Sequence, residues 1–282
     1  MKVKIFALLL VVGLIFTSCA KTVQKQNVIY TTIYPVYSIA KFIAGDKIEV
    51  ERIVKGAAEP HSFEPQTQDI AKMIDAKAVL YLGIIDEWAK KASEGGNENV
   101  FKVSEGIVFV DDDPHVWTSP KNAIVIAQNI KNALIAIDEQ NKGVYERNYD
   151  EFVDKMQKLD YKMKAEKTNF KRSDFVIAHP SFGYLAREYN LNQISVTGQE
   201  EVEEPSPKLV SDIINFIKDK NIKHILYDRT ENENIIRPII EATGVQKIEI
   251  YGMGAVPSDI EEKDNFITLM EKNIDNIIKA LK

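Results

Sequence analysis

The stretch Ala58-Glu59-Pro60-His61-Ser62-Phe63-Glu64-Pro65 sets an imidazole between two prolines. Proline fixes its own φ and drives the residue before it toward extended backbone, so His61 sits in a stiffened loop. Two more histidines share this setting, in Pro114-His115 and His179-Pro180. An imidazole held by a stiff loop needs little reordering to bind a cation. Three such groups suit Zn²⁺, which takes neutral imidazole nitrogens in a four-coordinate tetrahedron. The fourth histidine, His224, lies inside the strand-like run Ile222-Lys223-His224-Ile225-Leu226-Tyr227 and reads as structural.

The elements that must position these loops alternate along the chain. Val28–Thr32, Ile48–Val54, Ala78–Leu82, Val100–Val103 and Ile107–Val110 read as strands, from their β-branched and aromatic runs. Tyr37–Ala44, Thr67–Ala76 and Asp86–Ser93 read as helices between them, with Thr67 as an N-cap. Ser119-Pro120 opens a helix to about Asn141, with proline at its permissive first position. Tyr145, Tyr149, Phe152, Met156, Leu159 and Met163 then follow at helical spacing and form one apolar stripe. The spacing predicts a rigid helix of roughly 25 residues, near 38 Å long. Alternation resumes with strands Asp174–Ala178, Gln193–Val196, Ile222–Tyr227 and Gln246–Ile250. Helices Ser181–Tyr189, Ser206–Lys220, Glu231–Ala242 and Ser258 to the C-terminus separate or follow them. This order gives an α/β fold of two lobes, each a parallel sheet flanked by helices, joined by one long helix. Ligands of such sheets sit beyond the carboxyl ends of the strands. His61, His115 and His179 each follow a strand-like run, two in the first half and one in the second, so a cleft between lobes brings them together.

Composition narrows the function classes. A net charge of −6 excludes a broad basic surface and argues against nucleic acid as a partner. Lys2 and Lys4 precede the apolar run Ile5–Phe16, which is too short to span a bilayer and has the length of a signal-peptide core. It ends in Phe16-Thr17-Ser18-Cys19, which resembles a lipobox, and Cys19 is the single cysteine. An intramolecular disulfide is thereby excluded. The expected organisation is a signal peptide over 1–18, a polar tether over 19–26, and a first lobe over 27–143. A linker helix over 144–170 and a second lobe over 171–282 complete it. Lipidation at Cys19 implies an exported, membrane-anchored protein.

The motifs resemble the metal-binding, solute-binding lipoproteins of bacterial ABC importers for zinc and manganese. Val28-Ile29-Tyr30-Thr31-Thr32-Ile33-Tyr34-Pro35 looks like that family's opening strand and turn. Glu59-Pro60-His61-Ser62-Phe63-Glu64-Pro65, Asp113-Pro114-His115-Val116-Trp117 and Ala178-His179-Pro180-Ser181-Phe182-Gly183-Tyr184 resemble its three histidine motifs. Glu204-Pro205-Ser206-Pro207 resembles the lead into its next helix. The resemblance implies two four-stranded lobes joined by a rigid helix, with His61, His115 and His179 as metal ligands. It also implies high-affinity capture of Zn²⁺ outside the cytoplasm, delivery to an ABC permease, and a monomer. Tyr251 stands where many members carry a ligating aspartate, which leaves Glu59, a water or the tyrosine oxygen for the fourth position. The family's manganese binders usually carry glutamate where this chain has His179, and this favours zinc.

A lone histidine beside a strand is more often structural; three in one kind of loop, each in a family-like motif, reverse that balance. Asp111, Asp112 and Asp113 read as a solvated turn, with steering or support of a ligand as the alternative. Glu200, Glu201, Glu203 and Glu204 read as a solvated loop or a docking surface for a permease. Gly252-Met253-Gly254 lacks the third glycine of a dinucleotide fingerprint. A manganese or iron receptor of the same family is the near alternative. A zinc hydrolase is the distant one, since three histidines plus water also describe a catalytic site, but neither H-E-x-x-H nor G-x-S-x-G is present. An adhesin role has no independent support in the residues.

Overall fold

The computed structural model describes residues 26–198 and 205–282. The signal peptide, Cys19 and the glutamates at 200, 201, 203 and 204 lie outside the described residues. Eight short strands form two all-parallel sheets among them. The first has the order β2-β1-β3-β4, from Val28–Thr31 (β1), Glu49–Arg52 (β2), Ala78–Tyr81 (β3) and Val100–Lys102 (β4). The second repeats it as β6-β5-β7-β8, from Asp174–Ile177 (β5), Asn192–Ser195 (β6), His224–Tyr227 (β7) and Gln246–Glu249 (β8). Every pairing is parallel, as crossovers through helices require. β3 reads Ala-Val-Leu-Tyr and is buried throughout, the mark of a strand covered on both faces.

Tyr34–Ala44 (α1), Thr67–Asp75 (α2), Trp88–Ser93 (α3) and Pro120–Ile137 (α4) belong to the first half. Gly183–Tyr189 (α6), Pro207–Asp219 (α7), Arg237–Thr243 (α8), Ser258–Glu261 (α9) and Phe266–Leu281 (α10) belong to the second. Between them Lys142–Glu166 (α5) runs for 25 residues, and Tyr145, Phe152, Met156, Leu159 and Met163 are its buried stripe. Phe152 shows why this helix joins the halves rather than merely separating them. Its ring lies 5.9 Å from Phe42 of α1 and 6.0 Å from Phe266 of α10. One continuous apolar core accordingly contains Ile29 and Leu80 of the first sheet together with Ile177 and Leu226 of the second.

Several local expectations fail for visible reasons. Ile107–Val110 is a loop, not a strand: Gly106 takes φ 85°, Val108 is 78% exposed, and Ile107, Phe109 and Val110 pack against the core without pairing to a strand. The cap of α2 is Gln66, one residue earlier than Thr67, in a reciprocal bond with Asp69. The helix expected over Glu231–Ala242 starts late, because Pro238 favours a first-turn position; a 3₁₀ turn over Glu233–Ile235 precedes α8. The closing helix is broken between Glu261 and Phe266, where Asn265 caps α10 with a side-chain acceptor. No helix among the described residues is long and apolar enough to cross a membrane.

Candidate metal centre

The carboxyl ends of both sheets face one another, and the loops that leave them meet. His61 stands on the loop after β2, His115 on the loop after β4, and His179 two residues past β5. Nε2 of His115 lies 3.3 Å from Nε2 of His61 and 3.2 Å from Nε2 of His179. The three imidazoles form a group whose candidate ligand atoms all fall within 4.8 Å of one another. His224 opens β7 opposite Gln246, half-buried, and is not part of that group.

The spacing has a direct chemical meaning. A tetrahedral ion with bonds of about 2.0–2.1 Å to nitrogen sets its ligand atoms about 3.3–3.4 Å apart. The two distances at His115, 3.2 and 3.3 Å, lie within about 0.2 Å of that edge. The cavity at the imidazoles has a volume of about 30 Å³, room for one small guest. Glu59, Asp228, Glu231 and Gly254 also line it.

Each imidazole is held differently. Oδ1 of the buried Asp113 accepts the backbone N–H of His115 at 3.0 Å and lies 2.8 Å from its Nδ1. That contact places the ring proton on Nδ1 and leaves the Nε2 lone pair for a cation. His179 is buried and hydrogen-bonds to the Gly198 backbone. Burial, with His115 and His61 adding to it, pushes its pKa down to about 2, so this ring is neutral and ready to ligate. His61 is the most open of the three, and its backbone N–H donates to Oε1 of Glu59 at 2.9 Å.

Asp113 realises the alternative held for the Asp111-Asp112-Asp113 turn, support of a ligand, while its two neighbours fit a solvated turn. Asp111 and Asp112 are exposed in left-handed backbone, whereas Asp113 is 1% exposed beneath His115. Sequence reasoning missed Asp228 and Glu231 altogether. The position of Asp228, directly after β7, was the available signal. Its Oδ1 accepts from the backbone and hydroxyl of Thr230, and its Oδ2 from the backbone N–H of Gly252 at 2.7 Å. That carboxylate is a scaffold for the loops, and burial pushes its pKa up. Tyr251 is not among the residues lining the cavity; its side chain bonds to Glu249, and its pKa is pushed up to about 12, by burial first. The next residues, Gly252 to Ala255, face the site instead. Trp117 Nε1 donates to the Gly252 carbonyl at 2.8 Å, closing this loop onto the first half.

Two parallel-sheet lobes, a connecting helix and a histidine cluster where their strand ends meet define a class of two-lobed metal-binding receptors. A family model described as zinc-uptake complex component A, periplasmic (ZnuA), matches residues 29–280, and the chain belongs to that family. The family comprises solute-binding transport components and not enzymes, which removes the hydrolase reading. Among curated relatives, the zinc-binding protein AdcA of Streptococcus pyogenes is 26% identical over 98% of this chain. The high-affinity zinc uptake system protein ZnuA of Bacillus subtilis is 27% identical over 92% of this chain and 88% of its own length. The chain spans 61% of the S. pyogenes AdcA relative and 58% of the Streptococcus pneumoniae one. Among solved structures, the Zn(II)-bound ZnuA-like domain of S. pneumoniae AdcA superposes with a TM-score of 0.80 at 26% identity, covering 91% of this chain and 99% of that one. The laminin-binding protein Lmb of Streptococcus agalactiae, described as an adhesin with metal-transporting activity, gives 0.85 at 28% identity, covering 91% and 100%.

Proposed function

We propose that this protein captures Zn²⁺ outside the cytoplasm with His61, His115 and His179, and delivers it to an ABC-type metal permease. The observation that carries the reading is the imidazole spacing of 3.2 and 3.3 Å about His115, the edge length of a tetrahedral zinc site. The relatives named for zinc binding and zinc uptake, and the Zn(II)-bound neighbour, support the choice of metal. The chemistry is ligand exchange: each imidazole nitrogen replaces a bound water, and no covalent bond of the protein changes. Glu59 and water remain the sources for a fourth donor, with Glu59 lining the cavity. Lipidation at Cys19 would tether the receptor to the membrane that carries its permease, consistent with the S. pneumoniae relative named as a lipoprotein.

The test is metal titration of the chain expressed without its signal peptide. One Zn²⁺ per chain is expected, with a rise in melting temperature that follows ligand linkage. His115→Ala abolishes the rise and His224→Ala keeps it. Equal loss in both variants overturns the assignment. A preference for Mn²⁺ in direct competition overturns the choice of ion.

A further inference from the structure

A second cavity adjoins the metal centre. It has a volume of about 170 Å³ and shares His179, Thr230 and Glu231 with the smaller one. Thr197, Asn232 and Ile235 complete its lining. The smaller cavity has room for one guest, the larger for several waters. Glu231 is the one carboxylate among the described residues that lines both.

The chemistry of this second space suits a hydrated cation. The Thr197 hydroxyl donates its proton to the Ala178 carbonyl at 3.1 Å, and the Thr230 hydroxyl donates its own to Asp228 at 2.8 Å. Both hydroxyls are left with acceptor lone pairs. Oxygen donors and a carboxylate favour a hard, water-bearing divalent ion, whereas imidazoles favour a dehydrated zinc ion. No lysine or arginine is among the described residues lining either cavity. Glu231 is placed by its backbone: its N–H bonds to the Asp228 carbonyl at 3.0 Å, and its carbonyl accepts from the Tyr227 hydroxyl at 2.7 Å.

His61 leaves one flank of the cluster partly exposed, and the cavity behind His179 gives its buried side a second approach. His115 and His179 are 3% and 4% exposed, and the two halves share one apolar core, so wide hinge opening would tear apart packed side chains. We propose that the cavity behind His179 is a second, transient cation site, where Glu231 holds a partly hydrated divalent ion and passes it to the three imidazoles. This rests on the zinc-capture reading. The ion sheds water as it moves, each lost water being replaced first by a carboxylate oxygen and then by an imidazole nitrogen.

The experiment is rapid mixing of the metal-free protein with Zn²⁺ alone, followed by tryptophan fluorescence. The Trp117 ring, 5.3 Å from that of His115, reports arrival. Glu231→Gln should slow association at least fivefold while one Zn²⁺ still binds at equilibrium. Ile235→Phe, which narrows the cavity without removing charge or adding a second fluorophore beside the site, should slow it likewise. Glu241→Gln, on the exposed side of α8, controls for loss of one negative charge and should leave the rate unchanged. Normal rates in both Glu231→Gln and Ile235→Phe, with normal stoichiometry, overturn this proposal alone. A normal association rate with faster release in Glu231→Gln also overturns it, because Glu231 would then be a permanent ligand. Absence of any zinc response in the unsubstituted protein ends the capture reading and this proposal with it.

Discussion

Asp113 holds His115 at two points, through the backbone N–H at 3.0 Å and the ring Nδ1 at 2.8 Å, from the same carboxylate oxygen. The ring can then neither flip nor move its proton to Nε2 without losing a buried bond. Outer partners of this kind are worth about 10–100-fold in metal affinity. Asp113→Ala should weaken Zn²⁺ binding within that range, and Asp113→Asn, which keeps an acceptor, should fall between it and the unsubstituted protein. Competition against a chelator of known affinity measures both. Unchanged affinity in Asp113→Ala would mean that the loop alone orients His115.

Gly183, the first residue of α6, guards the other side of that carboxylate. A Cβ built there would lie 2.8 Å from Oδ2 of Asp113, closer than real contacts allow. Asp113 cannot swing away freely while its other oxygen holds His115. Gly183→Ala should therefore weaken zinc binding by up to about tenfold, a fraction of the Asp113→Ala effect, even though alanine is the better helix former. Full affinity together with a raised melting temperature would show that the carboxylate has slack.

Much of this is legible in the sequence alone. The three ligand loops announce themselves because proline beside histidine is a local signal, and the strand–helix alternation fixes which sheet edge each loop leaves. The apolar stripe from Tyr145 to Met163 likewise reads directly as a long buried helix face. What stayed hidden depends on contacts between distant residues. Three consecutive aspartates look alike in sequence, and only the start of α6, with Gly183 and the Tyr184 hydroxyl bonded to the Asp113 carbonyl at 2.7 Å, singles one out for burial. Glu231 reads as the start of a helix until Pro238 shifts that helix onward and frees the residue to line a cavity. Ile107–Val110 has the composition of a strand, but Ile107, Phe109 and Val110 bury their side chains against the core from a loop that pairs with no strand among the described residues.

Arg52, at the end of β2, reaches across to the second half. Its Nη2 donates to Glu261 of α9 at 2.8 Å, and its guanidinium lies 5.1 and 5.3 Å from the rings of Tyr34 and Tyr37. The arginine side chain is 6% exposed and its partner 28%, so the two members of the pair are not equivalent. Removing Glu261 strands a buried cation, which costs about 3–5 kcal/mol when both partners are buried and about 2 kcal/mol after allowing for water at Glu261. Replacing Arg52 by methionine fills similar volume and removes the charge, so it should cost less. Urea unfolding should rank Glu261→Ala below Arg52→Met in stability. The reverse order would mean that the stem and ring contacts of Arg52, not its charge pair, hold the halves together.

Asp86 gives the fold a pH dependence of unusual sign. It is fully buried, and its carboxylate accepts from the Thr32 hydroxyl at 2.5 Å and from the backbone N–H groups of Leu82 at 2.8 Å and Gly83 at 2.6 Å. Burial outweighs these bonds and pushes its pKa up to about 6. In the unfolded chain the same carboxyl titrates near 3.9. Between those values the folded protein holds a proton that the unfolded chain has released. The contribution to stability is thus complete below about pH 4 and is lost as pH rises through about 6. A shift of this size corresponds to something on the order of 2–3 kcal/mol. Asp86→Asn cannot ionise, so it should gain on the unsubstituted protein as pH rises from 4 to 7. Urea unfolding of the metal-free forms at several pH values across that window measures the difference. Two parallel curves would show that the three hydrogen bonds, rather than burial, set the proton affinity of this carboxyl.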